Sequence, residues 1–112
     1  MNAAQAEESS DVIMGTLPVN SIPAKVLFDS GASHSFISRP FALKHELGFQ
    51  DLPRPMLVVS PGSFMQASSM VPNVNIKMDN YSFLADPTIL GNSDIDLILG
   101  MNWVFKIYLG LC

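Results

Sequence analysis

Asp29 is followed at once by Ser30 and Gly31 and preceded by Val26-Leu27-Phe28. The apolar run reads as a buried strand, and a glycine two residues after the carboxylate lets the chain turn sharply. A charge where a core strand opens into a loop is costly unless it is used. Peptide-bond hydrolysis is a use that suits a carboxylate in a pair. The ionised member takes a proton from water while the protonated member donates to the carbonyl oxygen. Like charges held together cannot both ionise easily, which splits their proton affinities and assigns the two roles. None of Asp11, Asp51, Asp79, Asp86, Asp94 and Asp96 precedes a Ser-Gly or Thr-Gly pair. A chain with one such aspartate completes the pair only with a second copy of itself across a two-fold axis, so a homodimer is expected. Asp-Ser-Gly alone is a common turn sequence, and its weight depends on the elements around it.

Residues 1–10 are small, polar and acidic and read as a flexible lead-in, with one globular domain over 11–112. Val12 to Val19 and Ile22 to Phe28 read as a hairpin turning at Asn20-Ser21. A helix is expected over Ser38 to Gly48, capped by Ser38 or Arg39, with Pro40 in its first turn and Gly48 as its stop. Phe41, Leu43 or Lys44, and Leu47 would form its apolar stripe. Leu52-Pro53-Arg54-Pro55 reads as a link into a second hairpin, Met56 to Ser60 and Phe64 to Met70, turning at Pro61-Gly62-Ser63. Its second arm, rich in small polar residues and methionine, suits a segment that lies over something variable. Val74, Ile76 and Met78 alternate with polar residues, and Tyr81 to Ala85 returns after an Asp79-Asn80 turn. Ile95 to Gly100 is a second apolar strand ending in glycine, echoing Val26 to Gly31. One helical turn at Met101 to Phe105 and a last strand at Ile107 to Leu111 complete the expectation. The class is mainly β, a small closed, barrel-like sheet with one short helix after the Asp29 loop and one near the C-terminus.

Apolar residues make up 48% of the 112-residue chain and charged ones 14%, which favours an ordered body over a disordered segment. A net charge of −4 with scattered lysines and arginines gives no reason to expect nucleic acid or an anionic membrane as partner. Cys112 is the single cysteine, and His34 and His45 lack metal-ligand spacing, so neither metal nor cofactor is expected. The N-terminal residues resemble no signal peptide, and a cytoplasmic setting is the default. Ser33-His34 reads as a polar loop starting a helix rather than a nucleophile and base. His45 reads as an exposed helix residue, Asn80-Tyr81-Ser82 as a turn rather than a glycosylation site, and Trp103 as a core anchor. Core filling is the plain role for most of the methionines.

Taken together, Val26 to Ser38, Ser60-Pro61-Gly62 and Asp96 to Trp103 make the chain resemble a retropepsin-type aspartic protease of plant Ty3/gypsy-like retrotransposon polyproteins. The resemblance implies a homodimeric endopeptidase that cuts an extended polypeptide within its own polyprotein, in the particle of such an element. It implies that Asp29 is catalytic, that Ser30 braces the two active loops across the dimer, and that Gly31 and Ala32 support the loop and line the cleft. Val59, Ser60, Pro61, Gly62, Ser63, Phe64 and Met65 would form the flap, and Leu97, Ile98, Leu99 and Gly100 the second glycine loop. Asn102 stands where the family usually has an acidic residue, and Gly110-Leu111-Cys112 where it often ends Ile-Asp-Cys; both bear on the dimer. A different class of function, a catalytically silent dimerising or peptide-binding module from a degenerate element, is the alternative.

Overall fold

The computed structural model describes residues 12–29, 31–60, 63–91 and 93–100. Their elements run β1 (Val12–Val19), β2 (Ile22–Asp29), β3 (Phe36–Ser38), α1 (Arg39–Lys44), β4 (Gln50–Ser60), β5 (Ser63–Met70), β6 (Val74–Met78), β7 (Tyr81–Ala85), β8 (Thr88–Leu90) and β9 (Leu97–Leu99). The expected helix at 101–105 and strand at 107–111, and Trp103 with them, lie outside the described residues.

β1 and β2 form the first hairpin, in register from Val12 opposite Asp29 to Val19 opposite Ile22. Asn20 (φ 51°) and Ser21 (φ 67°) both take left-handed backbone angles, the pairing of a type I′ turn that matches strand twist. Asn20 also anchors this turn to β6: its N–H donates to the Asn75 carbonyl at 2.7 Å, and its Oδ1 accepts from the Asn75 N–H at 2.8 Å. β6 and β7 pair from Val74 opposite Ala85 to Met78 opposite Tyr81. Here Asp79 (φ 53°) supplies the positive φ that a glycine would have supplied.

Ser38 caps α1, its Oγ accepting from the Phe41 N–H at 3.2 Å. The helix ends at Lys44 rather than near Gly48. Glu46 takes the left-handed position (φ 54°), with its N–H on the Leu43 carbonyl and the Leu47 N–H on the Ala42 carbonyl. That bond pair is a Schellman end, and Leu47 folds back onto the core. Phe41 and Ala42 are the buried helix residues, whereas Leu43 points outward at 60% exposure. His45 is half-buried rather than exposed, its ring 4.6 Å from that of Phe41.

The sheet order is β4-β5-β8-β3-β9-β2-β1-β6-β7. The mainly β class expected from the sequence describes this architecture, but the expected closed, barrel-like sheet does not close: among the described residues it ends at β4 and β7. The proline-rich stretch expected as a link lies inside β4, where the register with β5 shifts between Asp51 and Met56. An edge strand tolerates these prolines because no neighbour needs their missing N–H. β3 and β8, three residues each, went unanticipated; they pair in parallel, Phe36 opposite Thr88. Val19, Val26, Ile37, Val74, Ile76, Leu97 and Leu99 are wholly buried at the centre of the core. Among the described methionines, Met78 packs half-buried against the core, whereas Met14 and Met65 are exposed and fill no core.

Candidate active site

Asp29 ends β2, half-buried, where the strand leaves the core. Its Oδ1 accepts from the Gly31 N–H at 2.9 Å, and its carbonyl accepts from the Ala32 N–H at 3.1 Å. An aspartate that takes a backbone N–H two residues on forms its own turn, so the carboxylate is oriented by the loop it starts. A Cβ on Gly31 would stand 3.2 Å from that same Oδ1. Glycine here leaves the carboxylate room to take its hydrogen bond.

The strand that secures the loop comes from far along the chain. β9 inserts between the two strands flanking the loop, parallel to β2 (Val26 opposite Leu97, Phe28 opposite Leu99) and antiparallel to β3 (Phe36 opposite Ile98). The two echoing stretches are therefore side by side. Asp96 locks the entry to β9: its Oδ2 accepts from the Lys25 N–H at 2.8 Å, its N–H donates to the Lys25 carbonyl, and its carbonyl accepts from the Ser38 N–H. At the exit, Gly100 donates its N–H to the buried Ser35 Oγ at 3.1 Å. A Cβ on Gly100 would fall 2.3 Å from the His34 carbonyl oxygen and 2.8 Å from that of Ala32. Only a residue without a side chain lets the strand end pass this close under the loop.

On its other side the loop faces the β4–β5 hairpin across a cleft of about 240 Å³, walled by residues 31–34 and Phe36 on one side and 56–59 on the other. The hairpin is in register from Met56 opposite Ala67 to Ser60 opposite Ser63. Leu57, Val59 and Phe64 are between 63% and 75% exposed, an unusual degree for apolar side chains, and Met65 is exposed as well.

Of the residues singled out in the sequence, Asp29, Gly31, Ala32 and Leu97 to Gly100 converge on one loop. Ser30, Pro61 and Gly62 lie outside the described residues. Val59 lines the cleft, and Phe64 and Met65 belong to the facing arm. Met56, Leu57 and Val58, closer to the hairpin base, also line the cleft and were not anticipated; neither was Ser35 as the acceptor for Gly100. Ser33 and His34 do meet, Oγ to Nδ1 at 3.1 Å, and they lead into strand β3 instead of a helix.

Chemically, the site offers one oriented carboxylate, with its second oxygen unpartnered among the described residues. It lies beside a cleft with one apolar wall. Among the described residues there is no group of three or more metal-ligating side chains and no helix long and apolar enough to cross a membrane.

A family model described as retroviral aspartyl protease matches residues 1–109. Among solved structures, EIAV protease complexed with the inhibitor HBY-793 superposes with a TM-score of 0.68 at 17% identity, covering 89% of this chain and 91% of that one. A search of curated proteins returns no match.

Proposed function

The chain belongs to the retroviral aspartyl protease family, and from that premise we propose that it cuts peptide bonds as a homodimer, two copies of Asp29 sharing one water. Aspartic-protease hydrolysis is what family membership carries; the residue roles, the dimer and the substrate are the proposed part. With one carboxyl protonated and the other ionised, the ionised group removes a proton from the water as its oxygen attacks the scissile carbonyl carbon. The protonated group gives its proton to the carbonyl oxygen, forming a gem-diol. Collapse returns a proton to the amine as the C–N bond breaks, and the pair is restored.

The observation that carries this is the Asp29–Gly31 turn, oriented internally and held from below by Gly100. A single carboxylate cannot act as acid and base in the same step, and the hydrogen bond to the Asp29 carboxylate among the described residues comes from a backbone N–H, that of Gly31. Ser30 would brace the loops across the dimer, and the β4–β5 hairpin would close over an extended peptide as a flap. The substrate we propose is the polyprotein of a Ty3/gypsy-type retrotransposon, processed in its cytoplasmic particle.

The test is expression with flanking polyprotein sequence beside the Asp29→Asn form. The unaltered chain should release itself and the variant should not; equal cutting removes Asp29 from the reaction. Sedimentation of the active protein should find a dimer, and an active strict monomer contradicts the shared pair.

A further inference from the structure

The cleft beside Asp29 has two unlike walls. On β4 it is apolar, formed by Met56 to Val59; on the loop it carries Ser33 and His34. His34 is the one titratable side chain among the residues lining the cleft. Its backbone is held, because the carbonyl lies so close to Gly100 that no side chain fits there. Its ring is oriented, because Nδ1 stands 3.1 Å from Ser33 Oγ, yet both side chains are exposed. A hydroxyl can donate to a neutral imidazole nitrogen or accept from a protonated one, so this contact serves both charge states. In the protonated ring, Nδ1–H is satisfied by Ser33 and Nε2–H remains for a ligand.

Other charges around the cleft are otherwise engaged or distant along the chain. Asp29, in the same loop, spends Oδ1 on the Gly31 N–H. On β4 the nearest charged residues in sequence, Asp51 and Arg54, do not line the cleft. At the start of β9, the Asp96 carboxylate accepts from the Lys25 N–H. Phe36, the contribution of β3, is apolar.

We propose that Ser33 and His34 form a side-chain subsite that selects a carboxylate, above all glutamate, in the peptide this site cuts. The glutamate methylenes would lie along Met56 and Val58 while the carboxylate takes the imidazole N–H. The subsite presupposes peptide cleavage at Asp29.

The test binds one peptide sequence, carrying Glu, Gln or Leu at each position in turn, to the full chain with Asp29→Asn, which leaves the peptide intact. Binding is read by fluorescence anisotropy. At one position, Glu should bind about threefold to tenfold tighter than Gln, as for a hydrogen bond to a charged group at an exposed site. Adding His34→Gln should abolish that preference. His45→Gln, whose ring lies on Phe41 outside this cleft, should leave it intact. Equal binding of Glu and Gln, a preference that survives His34→Gln, or no binding of any peptide overturns the subsite. Self-release by the unaltered chain is scored separately. If release occurs without a glutamate preference, the subsite falls and the protease stands; if release fails, the proposed function itself falls.

Discussion

Replacing Gly100 by alanine tests whether β9 governs the geometry of the Asp29 loop. The new Cβ would fall 2.3 Å from the His34 carbonyl oxygen and 2.8 Å from both the Ala32 carbonyl oxygen and the His34 carbonyl carbon. All three are backbone atoms, so no rotamer change relieves the overlap. Carbon contacts settle at about 3.5–4 Å, so loop or strand must yield by about 1 Å. The strand is poorly placed to yield, since Leu97 and Leu99 are wholly buried and registered against β2 and β3. Overpacking a well-packed interior typically costs about 1–3 kcal/mol, and backbone on the receiving side puts Gly100→Ala near 3 kcal/mol, about 10–20 °C in Tm for a domain of this size. Urea unfolding at fixed protomer concentration reads it as a lower midpoint at constant slope. Gly15→Ala is the control: nothing lies within 4 Å of a Cβ there, and loss of glycine from a strand interior should be neutral or stabilising by up to about 1 kcal/mol. If Gly100→Ala unfolds with the wild-type midpoint, or Gly15→Ala falls as far, the loop does not depend on close passage of β9.

Two further substitutions separate the loop's stability from its chemistry. Ser35→Ala removes the acceptor of the Gly100 N–H in a buried place, leaving an unpaired donor that should cost about 1–3 kcal/mol. Its urea midpoint should combine non-additively with that of Gly100→Ala, because both act on one contact. Gly31→Ala places a Cβ 3.2 Å from Asp29 Oδ1, a conflict the carboxylate relieves by moving. Its expected signature is at least about a tenfold loss of kcat on a peptide substrate, with an unfolding midpoint within about 1 kcal/mol of wild type.

The parts of this fold legible in the sequence are those whose cause is local. The β1–β2 and β6–β7 hairpins follow from strand pattern and turn residues a few positions apart, and the start of α1 follows from the Ser38 cap and Pro40. The helix end was misplaced because two backbone hydrogen bonds and the burial of Leu47 made Glu46 take the angle expected of a glycine. β3 and β8 are too short to show a period and become strands only through their neighbours. The site divides the same way. Asp29 and Gly31 declare themselves as a carboxylate and its turn, two residues apart. Gly100 declares itself only as an echo, since the carbonyls it must avoid belong to residues 32 and 34. The Ser33–His34 pair reads in the sequence only as polar loop residues; Gly100 beneath the loop and β4 across from it give the pair its setting.

The two glycines do different work, and the difference has a consequence for folding. Gly31 fits the carboxylate to its own turn, an arrangement a short peptide could sample. Gly100 fits the loop to β9, which requires β2 and β3 to be already spaced to admit a strand between them. Orientation of Asp29 is therefore cheap and local, whereas its fixed position is a property of the whole sheet. Perturbations of β9 should lower stability and activity together, and perturbations of Gly31 should lower activity nearly alone. That separation makes the pair Gly31→Ala and Gly100→Ala a direct measure of how far catalytic geometry depends on strand insertion rather than on the Asp-Ser-Gly sequence itself.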